Sequence, residues 1–335
     1  MDLFACAGCG TALSVPVERV ALPVEAHYDA GHNWMPTLME PGTYAVDPAP
    51  WGPPWRTWEE IGEAGSAAVG VYAPQYGVPG GPRDVIVLSP GDTRGTRLLP
   101  ERSGNSCLGI VAGDEPSLVC ARCGLGIGFR EDDCGIWNTV RYAPGAVVRH
   151  PLGLPARAPA PLRPTPPVDA RGHWSPRWTA GAGAALAHLL AASGGRPLAL
   201  PAGPVTEMFG RSLARVLPAG PPTRRVAVAG PGTPAGDAAV VLVPADRTTG
   251  RPWTPPTGAT PVGLPADVWA HLVRPDETSP MPVSGRPPAG VLRDDYPLPD
   301  HPWGVFTPDR RTARHTLARL PEVRRPWLRA LYDRL

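Results

Sequence analysis

Two short segments, Cys6-Ala-Gly-Cys9-Gly10 and Cys120-Ala-Arg-Cys123-Gly124, constrain this chain more than any other feature. Each places two sulfurs on one tight turn, and the glycine after the second cysteine permits the positive backbone dihedral that turns amides toward sulfur. Together Cys6, Cys9, Cys120 and Cys123 supply the four thiolates of a closed tetrahedral zinc site. Such a site leaves no position for water, so one structural zinc ion per chain is the expectation. Any fold must then bring residue 6 to residue 123.

A length of 335 residues favours two domains over a single core. Lysine is absent, and all 32 basic residues are arginines. Ala, Pro and Gly are also abundant, which reflects coding bias toward G and C. The chemical consequence is firm: a chain without lysine carries no Walker-A lysine, no Schiff-base lysine and no kinase strand lysine. The formal charge of +2 conceals a split, since residues 1–150 hold 10 Arg against 17 Asp plus Glu, a net of −7, and residues 151–335 hold 22 against 13, a net of +9. Opposite signs favour docking of the halves on each other, with an anionic partner for the basic half as the alternative.

The first residues, Met1-Asp2-Leu3-Phe4-Ala5-Cys6, show neither a basic n-region nor a long apolar stretch, and the apolar run 180–192 is too short for a bilayer and contains His188. A cytoplasmic protein without a membrane segment is expected, where reduced thiols favour metal over disulfide.

Eight prolines between residues 151 and 176 read as a polyproline linker or strap over 151–177. Before it, β-rich runs at 14–22, 84–88, 96–99 and 139–141 alternate with Gly and Pro turns, and no long amphipathic helix is evident. Residues 1–150 are therefore expected to form a zinc-binding, mostly β domain. After the strap, the pattern predicts a helix over 178–193, a strand at 197–200, a helix opened by Pro204, strands at 225–229 and 238–243, and two helical segments from residue 307 onward, separated near Pro321 and Pro326. Residues 178–335 thus read as a basic α/β domain with a largely parallel sheet, making the whole chain α+β.

The pieces Phe4-Ala-Cys6-Ala-Gly-Cys9-Gly10-Thr-Ala-Leu13 and Cys120-Ala-Arg-Cys123-Gly124-Leu-Gly-Ile127-Gly128-Phe129 resemble the two zinc knuckles of the β-tent fold. That fold is shared by methionine-R-sulfoxide reductases, Yippee-like proteins and the thalidomide-binding domain of cereblon; a zinc-ribbon-like arrangement is the other form such knuckles take. The resemblance implies the fold and the zinc. It does not extend to reductase chemistry, because Gly126 stands where the reductases carry a histidine, and their Arg-Tyr-Cys-x-Asn segment has no counterpart. The chain as a whole resembles a group of proteins from high-GC actinobacteria such as Streptomyces, which implies no activity.

Other motifs are weaker. Cys107 and Cys134 belong to neither knuckle and read as buried free thiols, with a redox pair or further metal ligands as alternatives. Glu131-Asp132-Asp133 precedes Cys134 and raises its pKa, which makes it a poor nucleophile. The segment Trp51-Gly-Pro-Pro-Trp55-Arg-Thr-Trp58, with Tyr44, Tyr72 and Tyr76, forms either a loop packed on the sheet or a cage for a cation, a cyclic imide or a proline-rich peptide. Gly230-Pro-Gly232 lies between two strands, the wrong context for a dinucleotide loop, and Gly210-Arg-Ser212 sits inside a helix. His27, His32, His150, His173, His188, His271 and His315 show no metal-like spacing. Residues 308–335 interleave eight arginines with Trp327 and Tyr332, a solvated helix face or a nucleic-acid pattern.

No nucleophile, base and orienter can be assembled from these residues. The expectation is therefore a non-enzymatic, zinc-stapled binding protein with a protein or peptide partner, Trp51, Trp55 and Trp58 being the candidate ligand cage. An enzyme would need a cleft between the domains, built from residues 51–58 and from Asp294, Asp295, Asp300 and His301. An arginine-mediated nucleic-acid binder is the third reading.

Overall fold

Short apolar runs broken by Gly and Pro make strands, and the N-terminal half is built from them. A computed structural model describes residues 1–28, 30–154, 165–168, 173–274 and 304–335. The chain divides into two units, Met1–Ala160 and Pro161–Leu335. The loop carrying Asp294, Asp295, Asp300 and His301, and the prolines at 155, 159, 161 and 164, lie outside the described residues.

The first unit comprises β1 (Asp2–Cys6), β2 (Glu18–Arg19), β3 (Thr43–Asp47), β4 (Trp55–Arg56), α1 (Trp58–Ala68), β5 (Val78–Pro79), β6 (Val85–Leu88), β7 (Thr96–Leu98), β8 (Leu118–Cys120), β9 (Gly126–Glu131), β10 (Thr139–Tyr142) and β11 (Val147–Pro151). Seven strands form one sheet in the order β2-β3-β6-β10-β9-β8-β7, while β1 pairs with β11 and β4 with β5 in separate two-stranded sheets. In the large sheet, Val140, Arg141 and Tyr142 oppose Leu88, Val87 and Ile86. Because side chains alternate between faces, Leu88, Ile86, Val140 and Tyr142 join Phe4, Leu13, Val17 and Tyr44 in one buried cluster. Val85, Val87 and Ala45 join Leu38, Met39 and Trp51 in another. Hence β6 is apolar at every position: it is buried on both faces. The β1–β11 ribbon covers the first face, with Phe4 edge-on to Tyr44 at 4.9 Å and the Tyr142 hydroxyl donating to the Leu13 carbonyl at 2.7 Å.

Arg141, at the position that alternation sends to the second face, is an exception to the apolar rule. Its guanidinium is buried, 3.4 Å from an Asp47 oxygen and 3.2 Å from a Glu131 oxygen. It also lies 4.5 Å from the centre of the Trp51 ring. A buried cation is tolerated only with such partners, and removing it strands the carboxylates. Arg141→Ala is therefore expected to destabilise the first unit by about 3–5 kcal/mol, read as a fall in its denaturant midpoint.

One sequence expectation needs correcting. The run 14–22 pairs as a strand only at Glu18–Arg19, besides single bridges at Ser14 and Val17. Ahead of the strap, α1 is two short pieces broken at Gly62, whose φ of +67° is not helical, and it starts at a capping box in which Thr57 Oγ1 accepts from the Glu60 amide and Glu60 Oε2 from the Thr57 amide.

The second unit contains α2 (Pro176–Ser193), β12 (Leu198–Ala199), α3 (Pro204–Val216), β13 (Arg224–Val228), β14 (Val240–Pro244), β15 (Thr260–Leu264), α4 (Ala266–Val273), α5 (Arg310–Ala318) and α6 (Pro326–Tyr332). Among the described residues its four strands are parallel and ordered β12-β13-β14-β15. α2 is buried along most of its length and packs on α5 and β15, while α4 packs on β14. Arg177 on α2 grips the Asp267 carboxylate of α4 with two hydrogen bonds, of 2.6 and 2.8 Å. The Thr165 hydroxyl donates to the same carboxylate, and the Trp178 indole donates to the Thr165 carbonyl at 2.8 Å. Burial pushes the Asp267 pKa up, but Arg177 outweighs it and holds the carboxyl below its usual value.

His188 lies on the same helix, and burial lowers its pKa despite the opposing charge of Glu322. The folded state therefore favours the neutral ring. As pH falls below the ordinary histidine value of about 6.5, the unfolded chain binds the proton first and stability drops. His188→Gln is expected to flatten the loss of thermal stability between about pH 7 and about pH 5, measured as the melting midpoint of the second unit.

Candidate metal centre

Each knuckle begins at the end of a strand, Cys6 closing β1 and Cys120 closing β8. The two turns match hydrogen bond for hydrogen bond. Gly10 donates to the Cys6 carbonyl and Gly124 to the Cys120 carbonyl, both at 2.9 Å. The Cys6 amide donates to the Thr11 carbonyl and the Cys120 amide to that of Leu125, both at 2.8 Å. Ala7 and Ala121 reach out of the turns to the carbonyls of Ala146 and Gly95, at 3.0 and 2.8 Å. Gly10 and Gly124 have φ of +71° and +78°, the left-handed region that a side chain disfavours.

This pairing places all four sulfurs within 4.8 Å of one another. Cys6 Sγ lies 3.6 Å from Cys123 Sγ, and Cys9 Sγ lies 3.6 Å from Cys120 Sγ. A tetrahedral cation with metal–sulfur bonds of about 2.3 Å requires edges of roughly 3.8 Å, whereas a disulfide requires about 2.05 Å. The cysteines are close enough to bind one metal ion. Cys6 and Cys120 are buried, Cys9 is partly exposed and Cys123 is exposed.

The thiols also interact electrostatically. The Thr11 hydroxyl, 3.3 Å away, and the Thr11 amide lower Cys9 to about 6. The Leu125 amide lowers Cys123, but desolvation and the adjoining thiols outweigh it and push Cys123 up to about 12. Once one sulfur ionises, its charge opposes the next, and only a shared cation lets all four become thiolates.

The Trp segment divides. Trp51 is buried, edge-on to Phe129 at 5.6 Å, and its face already carries Arg141. Trp55 stands on β4, 6.4 Å from Trp51 and 51% exposed. Trp58 opens α1. Tyr76, just before β5, is fully exposed. Cys107 is exposed rather than buried, and Cys134 is intermediate. Both meet His32, which its spacing in the sequence gave no reason to single out. Burial, the neighbouring Cys107 and then the Asp133 charge raise the Cys134 pKa, in the direction the acidic run implies. Three of the C-terminal arginines are engaged within their own unit: Arg310 donates to the Leu335 carbonyl, Arg314 lies 4.4 Å over the Tyr332 ring, and Arg329 pairs with Asp333 at 3.0 Å.

Compared with protein-family models, with curated proteins and with solved structures, the chain matches none. No helix among the described residues is long and apolar enough to cross a membrane.

Because residues 6 and 123 come from different sheets of the first unit, metal removal is expected to unfold that unit and spare the second. Limited proteolysis of the full chain after chelation checks this. A protected fragment from the C-terminal half is the expected outcome, and equal digestion of both halves contradicts it.

Proposed function

We propose that this protein is a zinc-stapled binding module, and that its first unit captures a basic, proline-rich peptide of a partner protein. The observation that carries this reading is the exposure of Trp55 on the β4–β5 ribbon, with Tyr76 exposed just ahead of β5. Trp55 is 51% exposed and Tyr76 fully so, on β4 and at the entry to β5. A Cβ at Gly77 would lie 3.7 Å from the Trp55 ring, so the ring rests over the backbone next to Tyr76. Trp51 props Trp55 edge-on from beneath and is itself fixed by Phe129 and Arg141. An exposed indole backed in this way suits a polyproline helix, whose ordering cost is already low. The net charge of −7 over residues 1–150 favours a peptide bearing arginine or lysine.

Zinc is the metal this reading assigns to Cys6, Cys9, Cys120 and Cys123, since four thiolates at tetrahedral spacing are its usual structural donor set. With all four positions taken by sulfur, the ion stiffens the scaffold and leaves recognition to the ribbon. The antiparallel β1–β11 ribbon and the larger sheet, antiparallel except where β2 runs parallel to β3, meet at the paired knuckles and support a β-tent-like arrangement. Reductase chemistry is not part of the proposal, because Gly126 packs against Pro116 where that chemistry needs a histidine.

Titration of the full chain with an arginine-flanked polyproline peptide, followed by tryptophan fluorescence, tests the reading. Trp55→Ala is expected to weaken binding roughly 30-fold, the about 2 kcal/mol of a hot-spot aromatic. Tyr76→Ala should weaken it less. Unchanged affinity in both variants, or no binding by the wild type, overturns the proposal.

A further inference from the structure

Three separate loops converge on His32, Cys107 and Cys134, and their ligand atoms lie within 4.8 Å of one another. Cys134 Sγ stands 3.9 Å from His32 Nδ1. On a tetrahedral zinc ion, with Zn–S about 2.3 Å and Zn–N about 2.05 Å, the sulfur–nitrogen edge is roughly 3.6 Å. A closure of a few tenths of an ångström brings this edge to tetrahedral length, and the Cys107 sulfur lies within 4.8 Å of both atoms.

We propose that His32, Cys107 and Cys134 form a second metal site, which holds a zinc-class cation through two thiolates and one imidazole and leaves its fourth position open to an exogenous donor. The backbone around the three side chains is already fixed. Cys134 bridges to Trp34, the Gly135 amide donates to the Asn33 carbonyl at 2.9 Å, and these bonds hold the His32 loop against the Cys134 turn. On the other side, the buried Asp133 carboxylate accepts the Cys107 amide at 3.0 Å and the Leu108 amide at 2.8 Å. Ile110 and Asp132 exchange backbone hydrogen bonds of 3.0 and 2.8 Å. At Gly109 an added Cβ would come within 1.9 Å of the Asp132 carbonyl oxygen, so only glycine lets the Cys107 loop lie this close. Asp133 thus acts as a positioning residue that turns a thiol-bearing loop toward a second thiol.

The chemistry differs from that of the knuckles. His32 and Cys107 are exposed and Cys134 is partly so, which keeps the site open to solution. Binding replaces the two thiol protons, which pass to solvent, and two thiolates neutralise a divalent cation without the excess negative charge of four. The ion stays more electrophilic, and its free position is filled by water or by a donor from outside the chain. The mixed sulfur–nitrogen set selects zinc over magnesium or calcium. Imidazole at the third corner has a role in this arrangement that it lacks in a plain dithiol pair.

Cobalt(II) titration of the reduced full-length protein, with elemental analysis after loading with zinc, tests the proposal. Two ions per chain are expected in the wild type, the second leaving first under mild chelation while the far-ultraviolet circular dichroism holds. His32→Gln and Cys134→Ser should each bind one. Should Cys134→Ser fail to fold, the exposed His32→Gln decides the matter. One ion per chain in the wild type, or a stoichiometry unchanged in His32→Gln, overturns the site. A Cys107–Cys134 disulfide found by mass with no second ion would do the same and assign the pair to redox chemistry.

Discussion

In the first unit, sulfurs 117 and 111 residues apart in the sequence come within 3.6 Å of each other, close enough for one metal ion to bind all four. Strand β1 belongs to a two-stranded ribbon and β8 to the seven-stranded sheet, so the cluster joins two layers that otherwise meet through side chains such as Phe4 on Tyr44. Bringing such distant segments together costs chain entropy, which the β1–β11 pairing and the shared apolar cluster around Phe4 and Tyr44 offset in part. A metal that requires four fixed donors makes that closure specific as well as favourable. The matching of the two turns, down to the amide that leaves each one, gives the ion equivalent halves to bind.

Sulfur serves different ends in different surroundings. In the knuckles two of the four cysteines are buried, and the four sulfurs form a donor set that closes around a metal ion with no position left for water. At Cys107 and Cys134 the thiols face solvent, an imidazole joins them, and a buried carboxylate orients the loop through amides rather than through the sulfurs. Arg141 shows the same dependence on surroundings for a cation. Two carboxylates and an indole face make burial of its charge tolerable, and that charge in turn fixes the indole beneath Trp55.

The knuckles were legible because their chemistry is local: spacing and glycine define them without reference to the fold. In the second unit, the helix opened by Pro204 and the apolar runs of β13 and β14 were equally plain, since each carries its own start signal or pattern, whereas Pro326, read as a break between helical segments, proved to open α6. The third member of the outer cluster was not legible. His32 is 75 and 102 residues from the two cysteines, and backbone bonds between distant loops, such as the bridge of Trp34 to Cys134 and the Gly135 amide to the Asn33 carbonyl, bring it near. Likewise, β1 and β8 are too short to declare themselves and become strands by pairing with β11 and β9. The capping box Thr57-x-x-Glu60 was a readable signal for α1, masked by the prolines ahead of it and by Gly62 within it.

The sheet of the second unit has a consequence for how the chain assembles. Strands β12, β13, β14 and β15 lie side by side in the order in which they are synthesised, each hydrogen-bonded to its predecessor. No strand waits for a later one to be inserted between it and its neighbour, so contact order within the sheet is low and the layer can grow vectorially as the chain emerges. Its cover does not follow that rule. α2 precedes the sheet but packs against α5, where a side chain at Gly183 would meet the Asp309 carbonyl at 2.4 Å. The apolar flank of α2 is thus among the first surfaces made and the last to be sealed, and during synthesis it is the face most in need of shielding from aggregation.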